Sequence, residues 1–186
     1  GASYTIDAKT SVPAPEYIPA PNTPASPRVR SDTHPEEAKW YRETTAHLVW
    51  EVPPGVIGVR TAFDREAESI PNVTYDEPIL EKTIADIEEG VSYFHIQFKN
   101  SDGWGRIAHY AVRIDTTEPS KFVITETTPN TIDAVRTFRF DVEDTSPIVR
   151  YHIIRDGLPG EDWIKTSDDT EYVTPPLSPG EHTLVV

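Results

Sequence analysis

Residues 47–60 read HLVWEVPPGVIGVR, and 90 positions further on residues 137–150 read TFRFDVEDTSPIVR. Without a gap, Trp50 falls on Phe140, Val52 on Val142, Val59 on Val149 and Arg60 on Arg150, and the same shift carries Ile87 onto Leu177 and Gly90 onto Gly180. A fixed internal period of this kind marks one structural unit used twice. Within the first copy the apolar residues come in short runs closed by turn formers. Residues 47–52 end at Pro53-Pro54-Gly55, residues 59–63 follow, residues 91–98 end at Lys99-Asn100-Ser101-Asp102-Gly103, and residues 107–114 end at Asp115-Thr116-Thr117-Glu118-Pro119. Short β-rich segments between turn signals predict an all-β sandwich. Leu80, Ile84 and Ile87 have helical spacing with Gly90 placed as a C-cap. Their counterpart in the second copy, residues 170–180, contains Pro175, Pro176 and Pro179, which no helix interior tolerates. Both copies therefore predict a strand, a turn and a further strand there.

Outside the repeat, residues 11–27 read SVPAPEYIPAPNTPASP, six prolines in seventeen positions. Such a stretch predicts a semi-rigid polyproline II spacer, roughly 3.1 Å per residue or about 50 Å in all. Before it, Ala2, Tyr4, Ile6 and Ala8 alternate with polar residues, the period of a strand with one buried face. Residues 3–11 also align with residues 109–117, Tyr4 on Tyr110, Ile6 on Val112 and Ala8 on Ile114. The expected organisation is an isolated β-strand at 1–10, a Pro-rich extended linker at 11–26, a first domain at 27–116 and a second at 117–186. Since Val186 is the equivalent of Ile96, the second domain is expected to lack its last strand. The strand at 1–10 then reads either as the last strand of a preceding domain or as a donor that fills the gap in a neighbouring copy. Trp50, Phe94, Ile96, Phe98, Phe140, Tyr110 and Val112 are the expected core.

These residues carry a family resemblance. HLVWEVPPG is similar to the strand-B signature of fibronectin type III domains, and residues 87–93 followed by FHIQFKNSDGWG resemble that family's corner, penultimate strand and Asn/Gly loop. LSPGEHTLVV in the second copy looks like the Ig-like repeats of prokaryotic surface proteins, and RIDTTEP resembles the joints between such repeats. The resemblance implies tandem Ig-like, fibronectin type III-like β-sandwiches of about 90 residues in a secreted or cell-surface protein. It implies a non-enzymatic structural or adhesion role, that of a spacer segment in a larger extracellular protein. No Arg-Gly-Asp tripeptide is present, so integrin binding is not implied.

The formal charge of −14 disfavours nucleic acid and anionic lipid as partners. No apolar run approaches a membrane span, and the N-terminus lacks a signal-peptide layout, which predicts a mature or excised soluble segment without membrane insertion. With no Cys, disulfides, thiolate metal sites and thiol catalysis are absent together. The six histidines are scattered, and four fall in predicted strands on the polar side, so they are expected to face solvent or to satisfy turns. No cofactor is expected. Ca²⁺ is the one metal with candidate ligands, at Asp115 and Glu118 in the joint, at Asp141, Glu143 and Asp144, and at Asp168 with Asp169. Trp104, between Gly103 and Gly105 in a predicted loop, is expected to fold over the open end of the sandwich; its alternative is a ligand platform on which a sugar ring stacks. Two other functions compete with the structural one: a filament subunit polymerised by N-terminal donor-strand addition, and an accessory carbohydrate-binding module of a secreted hydrolase. The partner is then the protein itself, a neighbouring domain or a surface polysaccharide.

Overall fold

Residues 17–128, 130, 132–164 and 171–186 are described by a computed structural model of the chain. Tyr4, Ile6 and Ala8, the first six linker positions, and Asp168 and Asp169 lie outside them. The described residues form strands and turns with no helix. In order these strands are β1 (Arg30–Ser31), β2 (Trp40–Tyr41), β3 (Ala46–Val49), β4 (Gly58–Asp64), β5 (Val73–Tyr75), β6 (Glu81–Ile84), β7 (Gly90–Asn100), β8 (Gly103–Ile114), β9 (Ile124–Glu126), β10 (Thr137–Phe140), β11 (Arg150–Arg155), β12 (Glu161–Ile164), β13 (Glu171–Val173) and β14 (Leu184–Val185). The fold is all-β and sandwich-like. Its described residues divide into two compact units, 17–39 with 45–86 and 91–112, and 40–44 with 87–90 and 113–186.

The first unit is built on a three-stranded sheet, β1-β3-β6, and on the strands β8-β7-β4-β5 of the largest described sheet. Alternation along the strands points Ala46 and Leu48 of β3, Val59 and Thr61 of β4, and Phe94, Ile96 and Phe98 of β7 into a common core, all nearly or fully buried. Trp50, just after β3, stacks on Phe94 with ring centroids 5.6 Å apart. Its indole N–H donates to the carbonyl of Ile79 at 2.8 Å, so the buried polar edge of the ring is satisfied. Tyr110 of β8 is buried beside Val112 and donates its hydroxyl to the carbonyl of His34 at 2.6 Å.

In the second unit, sheets β9-β10-β13 and β12-β11-β14 enclose Phe140, Tyr151, Ile153 and Tyr172. Phe140 is the hub, with ring centroids of Tyr151, Trp163, Phe122 and Tyr172 at 5.2, 5.8, 6.3 and 6.3 Å. Pairing follows one order in both units: β3 lies between β1 and β6 as β10 lies between β9 and β13, and β4 between β5 and β7 as β11 between β12 and β14. Two ladders keep their register under a shift of 90 positions. Leu48 opposite Lys82 becomes Phe138 opposite Tyr172, and Arg60 opposite Thr74 becomes Arg150 opposite Ile164. Gly90 and Gly180 share a positive φ, 106° and 145°, a region that a side chain resists.

Three expectations are corrected. Trp104 is not in a loop; it is the second residue of β8, because the turn closes early around Asn100, whose side-chain oxygen accepts from the backbone N–H of Asp102 and Gly103. Residues 17–26 do not hang clear of the sandwich as a spacer. They run along the edge of β8, where Pro24 O accepts from Arg106 N–H at 3.1 Å and the Ser26 hydroxyl donates to Ile107 O at 2.9 Å. A proline-rich segment has no internal hydrogen bonds, so its carbonyls remain acceptors for an open sheet edge. Finally, His95 of β7 does not face solvent: it is buried, at 0% exposure.

Candidate functional site

β7 is apolar on one face and polar on the other, yet residues 94–98 are buried without a break. The core face carries Phe94, Ile96 and Phe98, and the opposite face carries Tyr93, His95, Gln97 and Lys99. β4 and β8 flank this polar face with Arg60 and Asp64 on one side and Trp104 and His109 on the other. A buried polar side chain must be hydrogen-bonded to be tolerated, and here the partners come from both neighbouring strands.

His95 is held at both nitrogens. Nε2 lies 3.3 Å from Asp64 Oδ1, and Nδ1 lies 2.6 Å from Nδ1 of His109, the two rings meeting edge to face with centroids 4.9 Å apart. An ionised carboxylate only accepts, so Nε2 of His95 carries the proton that faces Asp64. Its Nδ1 then presents a lone pair to the N–H at Nδ1 of His109. Partial burial of the ring pushes the His109 imidazole below the usual histidine range, the neighbouring His95 adds to this, and Glu68 opposes it. Burial alone would raise the Asp64 carboxyl, but hydrogen bonds from the Ser69 hydroxyl, the Glu66 N–H and His95 outweigh it and hold the group below its ordinary value. The hydrogen bond from Glu66 N–H is 2.9 Å long. Tyr93 stacks on His95 with ring centroids 6.4 Å apart.

Two positions along β7, Gln97 is fully buried, accepts from Arg60 Nε at 2.5 Å and donates to the carbonyl of Gly105. The Arg60 guanidinium lies over the Trp104 ring, 4.5 Å from its centroid, with the Tyr17 ring at 5.8 Å; Lys99 Nζ is 5.6 Å from the same indole. Burial lowers Arg60 from its ordinary value while Tyr17 opposes the shift. Residues 17–26 close this end of the face: the Tyr17 hydroxyl donates to Trp104 O at 3.0 Å, and Asn100 Nδ2 donates to Asn22 O at 2.8 Å. Gly105 makes the close approach possible, since a Cβ there would lie 2.0 Å from Pro24 O.

The residues singled out in the sequence are placed as follows. Trp50, Phe94, Ile96, Phe98, Tyr110, Val112 and Phe140 are all buried. Trp104 is half-buried, with Arg60 and Lys99 at 4.5 and 5.6 Å from its ring centroid. Among the described residues, the acids considered for Ca²⁺ do not converge. Asp141 pairs with Arg139 at 2.9 Å, Asp144 accepts from Thr145 N–H at 2.9 Å and from the Ser146 hydroxyl at 3.3 Å, Asp115 accepts weakly from the Thr117 hydroxyl at 3.5 Å, and Glu118 is exposed. Among the described residues, no three His, Asp or Glu side chains are grouped closely enough to hold a metal ion. The pairing of His95 with His109 was not anticipated. Counting outward from the turn at 100–103 brings position 95 opposite 108, so strict alternation would send His109 to the other face, and the sequence carried no signal of the pair.

The fold and this face define an all-β, sandwich-like protein with a buried polar network on the outer side of its largest sheet. No protein-family model matches the chain, and no curated protein sequence matches it.

Proposed function

We propose that the chain is a non-enzymatic structural or adhesion segment, built from two tandem Ig-like repeats, of a larger extracellular surface protein. One observation carries this: the two units share strand order, and two of their ladders share register at a 90-residue offset. Duplicated sandwiches supply length and resistance to load, and the segment places its neighbours at a distance. The covered edge of β8 supports the same reading, because it removes a row of backbone groups that would otherwise recruit foreign strands. Stretching single molecules between handles at the two ends tests it. Two unfolding events are expected, with contour gains of roughly 300 and 240 Å for 90 and 70 residues at about 3.4 Å per residue. A single event, or extension without resistance, refutes the reading.

A second reading, filament assembly by strand donation, is favoured by β14. It ends its sheet with no strand on its outer side among the described residues, next to an apolar recess lined by Phe138, Leu177 and Leu184. Sedimentation of the chain with and without residues 1–10 separates the two: polymers abolished by the deletion support donation, and monomers in both cases refute it.

A further inference from the structure

The outer face of β4, β7 and β8 contains one convergence of metal-ligating atoms. Nδ1 of His95 and Nδ1 of His109 meet from adjacent strands, 2.6 Å apart, a contact that requires one of them to donate and the other to accept. Two imidazole lone pairs can be directed at one point in this way only if something positive lies there, a proton or a metal ion. Asp64 holds the far nitrogen of His95 at 3.3 Å. That is the arrangement by which a carboxylate fixes the tautomer and orientation of a ligating histidine.

We propose that His95 and His109 form a two-imidazole site for a divalent transition-metal ion of the Zn²⁺, Ni²⁺ or Cu²⁺ class, with Asp64 as its positioning residue. Imidazole donors suit these ions, whereas Ca²⁺ and Mg²⁺ demand oxygen. No third His, Asp or Glu among the described residues completes a three-ligand set, so water fills the remaining positions and the ion exchanges readily. Two nitrogens bound tetrahedrally at about 2.0–2.1 Å stand about 3.3 Å apart, so the pair must open by about 0.7 Å. His109 provides that movement because it is exposed, while His95 stays fixed in the buried layer. The protons balance: His95 keeps its N–H toward Asp64, the proton on Nδ1 of His109 moves to Nε2, and both Nδ1 atoms bind the ion with no net proton released.

The test is calorimetric titration of the untagged full chain with Zn²⁺ and Ni²⁺, with Ca²⁺ as a control, followed by histidine ¹⁵N NMR. One saturable site for the transition ions and none for Ca²⁺ is expected there, and His109 should change from an Nδ1–H to an Nε2–H tautomer on adding Zn²⁺. His109→Gln, at an exposed position, should abolish the site. Asp64→Asn should weaken it about 10- to 100-fold, and His47→Gln and His182→Gln should leave it intact. Absence of saturable binding, or binding that survives His109→Gln unchanged, overturns the proposal.

Discussion

Replacing Gly105 by Ala distinguishes a docked proline-rich segment from a loose one by the sign of its effect. The backbone of Gly105 lies outside the positive-φ region, so nothing local opposes a side chain. If residues 17–26 were a free spacer, the substitution would stabilise the protein by about 0.4–1 kcal/mol, through the reduced freedom of the unfolded chain. In the structure the new Cβ would meet Pro24 O at 2.0 Å, Pro24 C at 2.7 Å and Pro24 N at 2.9 Å, all backbone atoms that cannot rotate away. The segment must therefore leave the edge of β8. That breaks Arg106 N–H to Pro24 O and loosens the bonds made by Ser26, Asn100 and Tyr17. Four hydrogen bonds at about 0.5–1.5 kcal/mol each set an upper range, and most of these groups regain water, so a net loss of about 1–3 kcal/mol is expected. Urea unfolding followed by tryptophan fluorescence measures it, with Trp104 beside the substitution as a local reporter. In a chain shortened to begin at Pro27 the same change should be neutral or stabilising. A stabilising Gly105→Ala in the full chain would refute the docking of residues 17–26.

Other outcomes follow from the core and the titratable groups. Trp50→Ala and Phe140→Ala should each cost about 3–5 kcal/mol by urea unfolding, and a cost below about 1 kcal/mol at either would contradict their placement as buried hubs. His47 and His182 are raised above the ordinary histidine value, chiefly by hydrogen bonds to Asp32 and Asp156. Their contribution to stability is fully present below the unfolded value of about 6.5 and is lost as pH rises through the folded value. Melting temperatures across pH 5–8 should therefore decline less steeply on the alkaline side in His47→Gln than in the parent protein. Tyr172, buried and hydrogen-bonded to Glu161, is pushed up to about 12. Tyr172→Phe should accordingly leave the tyrosinate absorbance below pH 11 unchanged, whereas a lost early-titrating phenol would show that Tyr172 is exposed.

The strands that hold the molecule together were legible because strand formation is local. The four apolar runs at 47–52, 59–63, 91–98 and 107–114 overlap β3, β4, β7 and β8, and the prolines at 175–179 ruled out a helix where spacing alone allowed one. The phase of alternation also named the inner face, from Phe94, Ile96 and Phe98 to Tyr110 and Val112. The candidate site was not legible. Alternation says to which side His95 and Gln97 point, but it carries no information about what crosses above them.

From the sequence alone came the acidic, cysteine-free composition, the β class, the turns, the core phase and the 90-residue correspondence, since each depends on residue type and on spacing along the chain. Tertiary structure decided the rest: that the polar face of β7 is a buried network, that Trp104 lies under Arg60 and Lys99, and that residues 17–26 line the edge of β8. Each of these outcomes joins residues far apart in sequence, Arg60 with Gln97, Pro24 with Arg106 and Asp64 with His95. Polar groups at such positions take whichever partner the fold brings within hydrogen-bond reach, and only the closed sheet supplies those partners.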